Sequence, residues 1–123
     1  MGAPLEIALN HDLIREMLDG IGAEAVRELS IFYITETRAR VPEMRAFFDA
    51  KNFSELKRSA HSLKGASYTY GIITLAEIAN QLEQAANAED LESAVASLAW
   101  IEENTEAAIS LLTAYLDEKI KAG

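Results

Sequence analysis

Three observations on this chain of 123 residues predict an all-α fold: an antiparallel up-down-up-down four-helix bundle with a short additional N-terminal helix. Apolar residues recur at helical rather than strand spacing along nearly the whole chain. Helix-starting and helix-stopping residues (Asn10, Gly20, Gly22, Asn52, Ser54, Gly71 and Asp90) divide that pattern into five segments. The connections between segments are short, which makes antiparallel neighbours the natural arrangement.

The first segment is capped by Asn10 and runs to about Asp19, where Gly20 and Gly22 break it. The second spans about Ala23 to Ala50, with Val26, Leu29, Phe32, Tyr33, Met44 and Phe47 expected on its apolar side. Pro42 lacks an amide hydrogen and crowds the preceding turn, so a bend or short break is expected near Val41. Asn52 or Ser54 caps the third helix, which runs to about Tyr70 and stops at Gly71. The fourth covers about Ile73 to Ala88 on Leu75, Ile78, Ala79, Leu82 and Ala86. The last starts after Asp90 and reaches about Lys121, carrying Leu91, Val95, Leu98, Ile101, Ala108, Leu112, Tyr115 and Leu116. The whole of 1–123 reads as one domain, with residues 1–8 expected to form a short disordered start.

Composition removes several classes of function. A net charge of −9 sets most of the surface against nucleic acid, whose phosphates it would repel. No apolar run approaches the ~20 residues that span a bilayer, and no secretory signal pattern is present, so no membrane association and a cytoplasmic location are expected. With no cysteine there are no disulfides, no thiolate chemistry and no cysteine-based metal site. No heptad seam asks for a partner helix, and a monomer is expected.

The chemistry concentrates in Ala60-His61-Ser62-Leu63-Lys64-Gly65. At ~100° per residue, Lys64 and Gly65 lie ~60° and ~40° to either side of His61, and Tyr68 lies ~20° away. These four share one face, while Leu56, Ala60, Leu63 and Ala66 or Ser67 occupy the other. The imidazole therefore points outward. A neutral imidazole is a competent nucleophile near neutral pH, and a nearby ammonium balances the charge of a transferred phosphoryl group. Gly65 leaves the surface bare where another protein's active site would approach. Lys57, one turn before His61, and Arg58 extend the positive patch; from Gly65 to Asp117 there is no Lys or Arg.

The run AHSLKGASYTYGI, followed by Leu75, Ala79, Leu82 and Glu83, resembles the histidine-containing phosphotransfer (HPt) domain family, whose signature is roughly A-H-x-L-K-G with a second glycine six residues after the first. The resemblance covers the helical order of the whole chain. It implies that His61 accepts a phosphoryl group from the aspartate of a response-regulator receiver domain and passes it to another, with Lys64 orienting the phosphate and Gly65 at the contact. Receiver domains, and a hybrid histidine kinase carrying one, are the implied partners. The implied Mg²⁺ comes from the receiver, with no cofactor of the chain's own. Family members often place a Glu or Gln on the next helix to bond the histidine ring, and Glu83 falls there. A solvated glutamate fits the same position, and both readings stand at this point.

Other features have plainer readings. His11 lacks any ligand grouping and suits the surface, Glu102, Glu103 and Glu106 suit a solvated acidic face, and Trp100 suits a core edge. Tyr68 is read as a contact residue and Tyr70 as a packing one. No nucleotide-binding glycine loop or Mg²⁺ cluster occurs, so a carrier without kinase activity is expected. Two alternatives of the same fold are the phospho-accepting domain of a chemotaxis-type kinase and a receiver-binding module without relay. The first usually has a second histidine three residues before the glutamate, where this chain has Asn80; the second has no need of both His61 and Lys64.

Overall fold

A computed structural model describes residues 6–122. Five helices account for it: α1 (His11–Ile21), α2 (Ala23–Asp49), α3 (Phe53–Thr69), α4 (Ile73–Ala88) and α5 (Leu91–Ala122). Each N-terminus with a capping side chain has the residue expected from sequence. Asn10 Oδ1 accepts from the Leu13 amide, Asn52 Oδ1 from Glu55, and Asp90 Oδ1 from Ser93. The helices α2 to α5 close a ring, α2 on α3, α3 on α4, α4 on α5 and α5 back on α2, while α1 lies against α2. This is the expected bundle with its added helix.

The core runs along the bundle axis and includes Ile14, Val26, Tyr33, Met44, Leu56, Leu63, Leu75, Leu82, Leu98, Ile101 and Leu112. On α2 the inward face differs from expectation. The buried residues are Val26, Ser30, Tyr33, Thr37 and Met44, whereas Leu29 and Phe32 are exposed and Phe47 is partly buried. Two small hydroxyl residues take inward positions because burying them is cheap. Ser30 Oγ donates to the Arg27 carbonyl, so it reaches the interior already satisfied. On α5, Leu91 and Val95 are likewise exposed, and Ala94 takes the buried place between them. Of the bend or short break expected near Val41, the break does not occur: α2 runs unbroken through Pro42. Pro42 is exposed, so water can satisfy the Arg38 carbonyl that the missing amide leaves free. Helix α1 continues through Gly20 and stops at Ile21, capped by Gly22 at φ +89°.

The turn from α3 to α4 anchors the N-terminal segment. Gly71 adopts φ +75°, its carbonyl accepts from the Asn10 amide, and Leu9 pairs with Ile72. Of the stretch 1–8 expected to be disordered, residues 1–5 lie outside the described residues. In the remainder, Ala8 donates its amide to Thr74 Oγ1, and the Glu6 carbonyl accepts from the same hydroxyl.

Candidate functional site

His61 stands near the middle of α3 with its side chain 65% exposed, outside a wall of buried Leu56, Ala60 and Leu63. That placement follows from the helix's own pattern, in which large apolar and small residues repeat along one side and His61 falls on the other. Helix α4 crosses beside it with Leu75, Ala79 and Leu82 buried, which brings the polar edge of α4 alongside the histidine.

Glu83 projects from that edge and is nearly buried, with 13% of its side chain exposed. Its Oε2 lies 3.0 Å from His61 Nδ1, and its Oε1 lies 2.6 Å from Lys64 Nζ. The second contact is an ion pair rather than a well-directed hydrogen bond, and Oε1 has no other partner among the described residues. Lys64 also donates to Asn80 Oδ1 at 3.3 Å. The Lys64 ammonium, with the His61 ring adding to it, holds the Glu83 carboxyl below the ordinary carboxylate range despite burial. An ionised carboxylate only accepts hydrogen bonds, so Nδ1 carries the ring hydrogen in the neutral imidazole. Nε2 is then the nitrogen with the free lone pair, and it has no hydrogen-bond partner among the described residues. Of the two readings of Glu83 left open by sequence, this geometry matches the ring-bonding one.

The remaining sequence candidates divide. Gly65 is exposed, and a Cβ built there would meet no atom within 4 Å, so only something arriving from outside would feel a side chain at that position. Tyr68 is 48% exposed on the same face. Lys57 is held by Asn87, its Nζ donating to Oδ1 at 2.8 Å. Arg58 is highly exposed and pairs with Glu55, 3.6 Å off, rather than with the His61 cluster. Tyr70 packs its ring 4.9 Å from that of Tyr33. His11 stacks on Tyr115 at 4.5 Å, joining α1 to the end of α5. Trp100 is partly buried at the core edge.

The acidic trio lies exposed, as expected, and two of its members also pair across helices. Glu102 forms a two-pronged pair with Arg45, and Glu106 does the same with Arg38, so two of the three join α5 to α2. Those guanidinium groups hold both carboxyls below their ordinary range.

Two features escaped sequence reasoning. Exposed Phe32 lines a groove of about 330 Å³ between α2 and α3, together with Glu36, Arg40, Ala66 and Tyr70. Asn80 and Asn87 both bond lysines of α3, and their signal is a spacing shared with Glu83 on one edge of α4. Among the described residues there is no group of three or more side chains suited to a metal ion, and no helix long and apolar enough to cross a membrane.

A family model for the Hpt domain matches residues 28–118. Solved structures share the fold. The histidine-containing phosphotransfer protein B of Pseudomonas aeruginosa is 20% identical, with a TM-score of 0.77 and 99% of each chain covered. A maize histidine-containing phosphotransfer protein is 19% identical, with a TM-score of 0.75 over 89% of this chain and 85% of its own. One from Medicago truncatula is 18% identical, with a TM-score of 0.75 over 94% and 84%. The comparison with curated protein sequences gives no significant match. The chain belongs to the Hpt domain family, the histidine phosphotransfer proteins of phosphorelays.

Proposed function

We propose that this protein accepts a phosphoryl group on His61 from the aspartate of a response-regulator receiver domain and passes it to a second receiver. The observation that carries the reading is an exposed imidazole whose Nδ1 is tied to a carboxylate, leaving Nε2 open. In the transfer, the Nε2 lone pair attacks phosphorus. The acyl phosphate P–O bond breaks and its electron pair returns to the aspartate carboxylate. The ring becomes cationic while keeping its Nδ1 hydrogen, and Glu83 stabilises that charge as it develops. Lys64, beside the ring, offsets charge on the phosphoryl oxygens.

The receiver supplies Mg²⁺ and its own acidic pocket; this chain supplies the nucleophile, its orienting carboxylate and a docking face. That face comprises Gly65, Tyr68 and the exposed Leu29 and Phe32 of α2, with Lys57 and Arg58 at its rim. Its cations suit an acidic partner. The protein acts as a cytoplasmic monomer and a carrier, without kinase activity of its own.

The test is transfer of acid-labile label from a phosphorylated receiver, with Mg²⁺, to the protein and to His61→Gln. The expected result is label on the wild type alone. Label on the variant, or label obtained only from an ATP-loaded chemotaxis-type kinase module, would overturn the proposal.

A further inference from the structure

The seam between α3 and α4 ends at its outer edge in a ladder. Lys57, His61 and Lys64 fall at i, i+4 and i+7 on α3, and Asn80, Glu83 and Asn87 at i, i+3 and i+7 on α4, so each set forms one stripe. Because the helices are antiparallel, the stripes meet rung by rung. Lys57 Nζ donates to Asn87 Oδ1 at 2.8 Å, His61 Nδ1 to Glu83 Oε2 at 3.0 Å, and Lys64 Nζ to Asn80 Oδ1 at 3.3 Å, while the Lys64 ammonium also pairs with the middle rung through Glu83 Oε1 at 2.6 Å. The histidine sits on the middle rung with a lysine one turn to either side.

The outer acceptors are amides, and the difference from carboxylates is electrostatic. An amide oxygen holds an ammonium in place without cancelling its charge, whereas a carboxylate does both. This choice occurs in a chain with 20 acidic residues against 11 Lys and Arg. Along Asn80 to Asn87 the polar residues are Asn80, Gln81, Gln84 and Asn87, with Glu83 the one carboxylate. Two lysines against one glutamate leave the ladder net positive; two aspartates at the outer rungs would make it net negative.

We propose that Asn80 and Asn87 are positioning residues, which hold Lys64 and Lys57 on either side of His61 while leaving the positive charge of the site available to an incoming phosphoryl group. The proposal rests on the reading of His61 as the acceptor. Tethering also limits the freedom that two long side chains would otherwise lose when the phosphoryl group arrives.

The test uses phosphoramidate, a donor that needs no partner protein. The imidazole Nε2 forms a bond to phosphorus, the reagent's own N–P bond breaks, and ammonia leaves with the electron pair. Labelling rates are measured at low and at high salt for the wild type, Asn80→Asp, Asn87→Asp and Asn87→Leu, with thermal midpoints to confirm folding. Each aspartate variant is expected to label roughly two- to five-fold more slowly at low salt, the range set by a partly exposed charge pair. That gap should close near 1 M salt, where screening acts within ~3 Å. Asn87→Leu, which frees Lys57 but keeps its charge, should fall between wild type and Asn87→Asp at low salt. Aspartate variants that label at the wild-type rate in low salt would overturn the proposal, and so would a slowing that high salt leaves unchanged, which marks a structural defect. His61→Gln is the control for the underlying reading: label on that variant, or none on the wild type, removes His61 as acceptor whatever the asparagines do.

Discussion

Replacing Glu83 separates what the carboxylate does for the reaction from what it does for the fold. Glu83→Ala removes the acceptor of the His61 Nδ1 hydrogen bond and the Lys64 ion pair together. As Nε2 attacks, the ring gains positive charge, and the hydrogen bond to a carboxylate 3.0 Å away strengthens. A hydrogen bond to a charged group contributes ~1.5–3 kcal/mol, so its loss should slow phosphorylation of His61 roughly ten- to hundred-fold. Glu83→Gln keeps an oxygen for Nδ1 but cannot neutralise the ring, and should fall between that variant and the wild type. The loss of stability should be limited. Lys64 is partly exposed and retains Asn80, so it can turn toward water, and the cost should stay below the ~3–5 kcal/mol of stranding a fully buried charge. The assay pairs single-turnover transfer from a phosphorylated receiver with a urea titration of each variant. Transfer at the wild-type rate in Glu83→Ala, or slowing only in proportion to the unfolded fraction, would refute the orienting role.

Two further outcomes concern the frame around the site. Gly71→Ala places a Cβ at φ +75°, 3.2 Å from both the Asn10 carbonyl oxygen and Ile14 Cγ1. The backbone strain alone is ~1–2 kcal/mol, so a fall in the urea midpoint corresponding to at least that is expected; an unchanged midpoint would show that the turn yields freely. The acid limb of stability is set by carboxyls held below their ordinary values: Glu83 by Lys64, Glu102 by Arg45, Glu106 by Arg38, and Asp90 by the hydroxyl and amide of Ser93. A folded-state pKa below the unfolded one stabilises the fold above the unfolded value, and that contribution disappears as pH falls through the folded value. Urea midpoints should therefore hold from neutrality down to about pH 5 and then drop, with a shallower drop in the Arg45→Gln/Glu102→Gln double variant. A drop just as steep in the double variant would take that pair out of the acid response.

Helix ends were legible because each is written in a few adjacent residues. Asn10, Asn52 and Asp90 bond amides three positions ahead, and Gly71 supplies a backbone angle that other residues resist. His61 and its face were legible for a similar reason, since one helix period relates all of their positions. What stayed hidden depends on partners far along the chain. Size and hydrophobicity alone put Leu29 and Phe32 inside α2, yet Ser30 satisfies its hydroxyl within its own helix and takes an inward place, leaving the larger residues outside. The cross-helix pairs of the exposed Glu102 and Glu106 stayed hidden because their arginines lie 57 and 68 residues away. Asn80 stood out only as the residue where a second histidine was absent, because its role needs the register between α3 and α4.

That register is itself set by small residues. On α4, Ala76, Ala79 and Ala86 flank the stripe of Asn80, Glu83 and Asn87, and Ala60 lies beside the facing stripe on α3; all four are at most 2% exposed. Interaxial distance follows the size of the side chains between two helices, so alanines here let α3 and α4 approach closely. Close approach is what permits short acceptors to reach across: an asparagine has one methylene, yet Asn87 comes within 2.8 Å of Lys57 Nζ. Larger residues in the seam would bury more apolar area but would carry the outer rungs out of reach. The same alanines that lie beside Leu75, Ile78 and Leu82 in the buried face of α4 therefore bring the polar groups around His61 together. Their positions relative to the ring are determined by the packing beneath it rather than by loops.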